Sequence, residues 1–135
     1  MATMAQKLQL RPGQRLALRN APEGYAGRLA SALEGISVFA EAGNDPDAVL
    51  LFVNNLAETT SLAPQIMHTS RPDVLLWIAY PKQASAQGAS KGKTDVNRDR
   101  LWEALQGTGW RPVRQVALDD VWSALRFRPQ EQVGR

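Results

Sequence analysis

The sequence predicts an α/β fold in which helices cover both faces of a layered sheet. Three observations carry this. AVLLFVN (48–54) and VLLWIAY (74–80) are apolar almost without interruption, as strands covered on both faces are. Segments with helical spacing of apolar residues lie between the strand-like runs. The last two runs, RPVRQVAL (111–118) and WSALRF (122–127), are linked so tightly through Asp119-Asp120 that they must lie antiparallel.

QKLQLRPGQ (6–14) reads as a short lead-in, turned by Pro12-Gly13. In RLALRN (15–20), Leu16 and Leu18 alternate with Arg15, Ala17 and Arg19, which makes a first strand. Ala21-Pro22-Glu23-Gly24 stops it. Tyr25, Leu29 and Leu33 then fall at i, i+4 and i+8, one face of a helix over 24–33, and Gly35 is a natural residue to end it. ISVFAEA (36–42) is rich in β-branched and aromatic residues and reads as the second strand. Gly43-Asn44-Asp45-Pro46 turns the chain into the third strand, 48–54. Residues 55–70 are helical, with Leu56, Leu62, Ile66 and Met67 on the apolar side, and Pro64 predicts a break or kink. Arg71-Pro72-Asp73 punctuates before the fourth strand, 74–80. KQASAQGASKGKT (82–94) is a flexible basic loop. Thr94 caps a helix over 95–106, with Val96, Leu101 and Leu105 inward and Gly107 at its end. After the closing hairpin, residues 130–135 form a frayed tail.

The 135 residues are one domain's worth of chain, so a single α/β domain over 1–135 is expected. The absence of cysteine excludes disulfides, iron–sulfur clusters and thiolate zinc. The N-terminal stretch MATMAQKLQLRPG lacks the apolar core of a signal peptide, and no run reaches the ~20 apolar residues of a membrane span. A cytoplasmic protein with no membrane contact is the expectation. Net charge is +3, with the basic residues scattered along the chain. Nucleic acid is therefore not an expected partner, because that role needs a clustered basic face.

The stretch GASKGKT (88–94) ends as a phosphate-cradling loop does, but Gly88 and Gly92 enclose three residues where such a loop needs four. Seven residues separate it from Tyr80, although the loop should leave its strand almost directly. It reads as a solvated connector or as a mobile lid over an anion. The first strand–helix turn offers NAPEGYAG in place of G-x-G-x-x-G. Pro22 removes a donor there and Glu23 sets a negative charge where a phosphate would rest, so a neutral or cationic group suits the turn better. Glu41, at the end of the second strand, reads as a solvated strand-end residue or as an acid placed where ribose-binding acids sit. His68 is a lone histidine near a helix end and reads as a surface or capping residue. No metal site and no Ser-His-Asp set can be assembled. The four tryptophans (77, 102, 110 and 122) read as core, Trp122 least clearly.

NAPEGY (20–25), LLWIAYPK (75–82), TDVNRD (94–99) and VRQVALDDVWSALRFRP (113–129) together resemble a bacterial family carried as a domain of unknown function, over roughly residues 8–129. The order of elements is also similar to a shortened class I S-adenosylmethionine-dependent methyltransferase, through LRPGQ, WIAYP and the closing hairpin. A helix–strand–helix segment after strand two is missing, and NAPEGY replaces the glycine-rich cofactor turn. The resemblance implies a three-layer, Rossmann-like, mostly parallel sheet of order 2-1-3-4-6-5 with strand six antiparallel. Because of those two departures no cofactor is expected, S-adenosylmethionine being the one the scheme would admit.

In such a sheet, ligands bind beyond the carboxyl ends of the strands where strand order reverses. The resemblance places Asn20, Glu41, Asn54 and Lys82 there, with Gly24, Tyr25, Thr94, Asp95, Trp122 and Ser123 opening onto the same edge. The leading expectation is a non-catalytic binding or interaction module with a pocket at this edge, for a small molecule or a protein. The alternative is a small transferase-type enzyme acting on an anionic substrate. Lys82 would bind charge and Asp119 or Asp120 would serve as base. A homodimer through edge strands is a third reading. A plainer one is that Arg98, Asp99, Asp120 and Arg126 only pair the hairpin to the last helix.

Overall fold

The computed structural model describes residues 4–33, 35–39, 46–69, 74–81, 98–118 and 121–129. Its strands are β1 (Arg15–Arg19), β2 (Ser37–Phe39), β3 (Ala48–Phe52), β4 (Leu75–Pro81), β5 (Trp110–Ala117) and β6 (Trp122–Pro129). Its helices are α1 (Met4–Lys7), α2 (Tyr25–Ala32), α3 (Leu56–Thr69) and α4 (Arg98–Ala104). The strands make one sheet of order β2-β1-β3-β4-β6-β5. Strands β2, β1, β3 and β4 run parallel to one another, and β6 runs antiparallel to both β4 and β5. The two continuous apolar runs lie side by side in the same direction, from Ala48 opposite Leu75 to Phe52 opposite Ala79.

Alternate residues of these strands feed two cores. On one face Val49, Leu51, Leu76, Ile78 and Phe127 meet Ala63, Ile66 and Met67 of α3 and Leu101 and Leu105 around α4. On the other, Leu16, Leu18, Leu50, Phe52, Trp77 and Trp122 meet Leu8, Leu10, Tyr25, Leu29 and Leu33. Every residue of β3 is buried, because each side of it finds a helix layer. Among the described residues no helix is long and apolar enough to cross a membrane.

The structure gives the lead-in a role and corrects local expectations. The lead-in is part of the fold: α1 opens it, and Leu8 and Leu10 are only 1% and 6% exposed. The reason is long-range, since the indole Nε1 of Trp77 donates to the Leu8 carbonyl at 3.2 Å. The last helix does not end at Gly107, which lies inside a 3-10 turn, Gln106–Thr108. Thr108 Oγ1 donates to the Leu105 carbonyl at 2.6 Å and prolongs the winding. The chain turns out one residue later, at Gly109, whose φ of 86° is left-handed. Of the break or kink expected at Pro64, the break is absent: α3 is one helix of 14 residues with Pro64 inside it. An interior proline costs about 3 kcal/mol, whereas burying Ile66 and Met67 just beyond it contributes roughly 1.5–3 kcal/mol each. Packing therefore carries the helix through. The C-cap of α2 is Leu33, and Gly35 lies two residues beyond it, outside the position expected to end the helix, with φ 84°. Its carbonyl accepts from Gly13 N at 2.8 Å, which clasps the two connections together.

Replacing Pro64 by Ala restores a helix N–H and removes the ring's clash. It should stabilise the protein by about 2 kcal/mol, after about 1 kcal/mol is conceded for the freer unfolded chain. Urea unfolding followed by circular dichroism measures it. A midpoint that stays put or falls shows that the ring's own packing outweighs the bond it withholds.

Candidate functional site

Chain order reverses between β1 and β3, since β1 leads outward to β2 and the chain then crosses back. Ligand crevices form at such a point, beyond the carboxyl ends of the strands. Asn20 follows the last residue of β1 with φ 59°, the left-handed region that asparagine tolerates better than most residues. This bend turns its amide across the gap. Asn20 Nδ2 donates to the Phe52 carbonyl at 2.8 Å and to Glu58 Oε1 at 3.2 Å.

The far wall comes from the start of α3. Asn55 caps the helix, with its Oδ1 accepting from Glu58 N at 2.8 Å. Glu58, three residues on, sends its carboxylate back. Oε1 accepts from Asn54 N at 2.8 Å and from Asn54 Nδ2 at 3.0 Å. This is a capping box displaced one residue outward. One carboxylate oxygen of the half-buried Glu58 thus receives three donors, two of them from Asn54 and one from Asn20. The helix N-terminus adds favourable partial positive charge. Asn20, Asn55 and Glu58, with Ala57, Ser61 and Leu62, line a cleft of about 310 Å³. A larger cleft, about 520 Å³, lies between Pro64, Gln65 and His68 of α3 and Gly107 and Thr108. It offers no carboxylate, and α3 takes it away from the strand carboxyl ends.

Of the residues expected at this edge, Asn20 and Asn54 are brought together, through Glu58. Gly24 caps α2 with φ 80° and no side-chain bond, and Tyr25 N donates to the Pro22 carbonyl at 3.0 Å. Tyr25 and Trp122 lie in the core, 4% and 7% exposed. Both meet Phe52 edge-on, with ring centroids 4.9 Å and 5.1 Å away. Arg28 covers the Tyr25 ring at 4.9 Å. Ser123 is buried between Tyr80 of β4 and Ala117 of β5. Arg126 bonds Gln9 of the lead-in. Glu41, Lys82, Thr94, Asp95, Asp119 and Asp120 lie outside the described residues, as do the stretch GASKGKT and the tail. Sequence reasoning missed Glu58, Asn55 and Ser61. The signal was present as Asn55-x-x-Glu58 directly after an apolar run.

No family model and no curated protein matches the sequence. Solved structures do match in fold. An O-methyltransferase of neocarzinostatin biosynthesis, NcsB1, solved with S-adenosylmethionine and a naphthoic acid, superposes with a TM-score of 0.62 at 9% identity over 86% of this chain. A SAM-dependent methyltransferase from Aquifex aeolicus gives 0.54 at 12% identity, over 92% of this chain and 86% of its own. The magnesium protoporphyrin IX methyltransferase ChlM from Synechocystis PCC 6803, with bound SAH, gives 0.54 at 10% identity, over 87% of this chain and 74% of its own. The chain spans about half the length of NcsB1, 49%. At such identities the likeness is one of fold: a Rossmann-like, methyltransferase-type sheet with strand six antiparallel.

Proposed function

We propose that this chain is a non-catalytic binding module on a methyltransferase-type scaffold. Its ligand would lie in the cleft between Asn20 and α3. The observation that supports this best is the Glu58 carboxylate at the strand-order reversal, with one oxygen fixed by three donors. A preorganised acceptor beside Ser61 and two asparagines suits a neutral or cationic group bearing hydroxyl or amine donors.

The turn after β1 does not fit S-adenosylmethionine well. Pro22 has no N–H, the Tyr25 N–H is spent on Pro22, and the exposed Glu23 adds a negative charge. Tyr25 packs down on Phe52 where a glycine-rich turn would leave room.

Ser61→Tyr tests the proposal, because Ser61 is exposed on α3 and takes no part in the cap. Wild type and variant are screened by thermal shift against nucleosides, amino alcohols, S-adenosylmethionine and S-adenosylhomocysteine. A hydroxyl- or amine-bearing compound should stabilise the wild type, by about 2.7 kcal/mol at a hundredfold excess over Kd, and leave the variant unmoved. Stabilisation by S-adenosylmethionine, or methyl transfer from it, would overturn the reading in favour of the transferase.

A further inference from the structure

The closing hairpin carries four arginines, Arg111 and Arg114 on β5 and Arg126 and Arg128 on β6, and no carboxylate on either strand. Arg111 stands directly opposite Arg128, and Arg114 directly opposite Arg126. Opposed residues of an antiparallel pair share a face, and like charges placed so repel. Arg111 and Arg114 are exposed, while Arg126 and Arg128 are half-buried.

A regular strand could not build this cluster. Residues three apart on a strand point to opposite faces, so Arg111 and Arg114 should be separated. The register shift between Pro112 and Arg114 takes up Val113 as an extra residue. That bulge returns Arg114 to the face of Arg111 and leaves Val113 41% exposed. Several uphill features thus meet at one place. The Arg126 pKa is lowered, first by burial and then by Arg128 and Arg114. Its Nη1 donates to Gln9 Oε1, and Gln9 itself adopts a left-handed φ of 61°. Its buried Nε has no hydrogen-bond partner among the described residues. Lys7 Nζ reaches the same hairpin and donates to the Ala117 carbonyl at 3.4 Å. From Arg128 to the rung of Ala117 and Ser123, this cationic line runs roughly 17 Å at ~3.4 Å per residue.

A single phosphate would reach one rung only. Two arginine rungs and a lysine in line suit a repeating phosphate strand, with the exposed Arg111 and Arg114 placed to grip oxygen pairs and the half-buried Arg126 and Arg128 adding charge behind them. An acidic peptide is disfavoured as an added strand. Pro112 withholds an N–H at this edge and the bulge interrupts the ladder.

We propose that this arginine face docks the phosphate backbone of single-stranded nucleic acid without reading its sequence. Fluorescence anisotropy of the full chain with a labelled mixed-sequence RNA oligonucleotide, titrated across salt, tests it. The slope of log K against log[salt] should be near −3, at about −0.7 for each of four arginines. Arg111→Gln/Arg114→Gln/Arg128→Gln should flatten it to about −1 and weaken binding at least ~tenfold. Arg114→Gln alone should weaken binding yet raise the unfolding midpoint by about 2 °C, because it removes one repelling pair. That opposition of affinity and stability is what a merely structural arginine would not produce, and it serves even if the triple variant fails to fold. Absence of binding at low salt, or variants that bind as the wild type does, overturns the proposal. So does displacement of the RNA by polyglutamate, or by stoichiometric inorganic phosphate.

Discussion

Phe52→Ala should cost about 3–5 kcal/mol, a large part of the 5–15 kcal/mol that holds a domain of this kind together. Phe52 ends β3 with no exposed surface. Its ring is met edge-on by Tyr25, with planes at 62°, and by Trp122, at 85°. Each such pair adds about 0.5–1.5 kcal/mol to the area buried. The effect reaches the candidate cleft, because the Phe52 carbonyl holds Asn20, and Asn20 also holds Glu58. Urea unfolding gives the stability loss. Hydrogen exchange at Asn54 N reports whether its bond to Glu58 loosens with it. Phe52→Leu keeps most of the volume and should cost about half as much. A loss under about 1.5 kcal/mol for Phe52→Ala would mean that Tyr25 and Trp122 collapse into the space, and would remove the link between core and cleft.

The parts of this fold that were legible are those whose residues admit one arrangement. An apolar run such as 48–54 has no polar side to turn to water, so both its faces must be covered. The link between β5 and β6 is too short to let them run parallel. The order of strands came instead from resemblance to known sequences, because periodicity says which face is apolar and not which strand is the neighbour. What stayed hidden depends on partners far along the chain. Leu8 and Leu10 look like stray apolar residues in a polar lead-in until Trp77, 69 positions away, binds the Leu8 carbonyl. Glu58 looks like an ordinary first-turn acid until Asn20 reaches it from 38 positions away. Tyr25 and Trp122 have side chains that serve a core and a binding face equally well. The arginines are scattered in the sequence, and it is the bulge at Val113, invisible to a period-two reading, that aligns them.

Trp77→Ala should be as damaging as the loss of Phe52, about 3–5 kcal/mol, but for a different reason. Trp77 has no exposed surface and lies opposite Leu50 of β3 and Arg126 of β6, at the centre of the sheet. Its indole both fills the core and fastens the lead-in. Trp77→Phe separates the two roles. It keeps an aromatic ring and removes the N–H, which leaves the buried Leu8 carbonyl without its donor, at about 1–3 kcal/mol. That smaller loss should be local. Hydrogen exchange over residues 5–10 should quicken in Trp77→Phe while the amides of β3 and β4 keep their protection. Since Gln9 lies in the released segment and accepts from Arg126, the hairpin should lose part of its preorganisation. Its salt-dependent affinity for RNA should then fall a few-fold, although no arginine has been touched. Uniform loss of protection across the sheet would instead mean that the lead-in and the sheet unfold as one unit, with the Trp77–Leu8 bond acting on the whole fold and not on its edge.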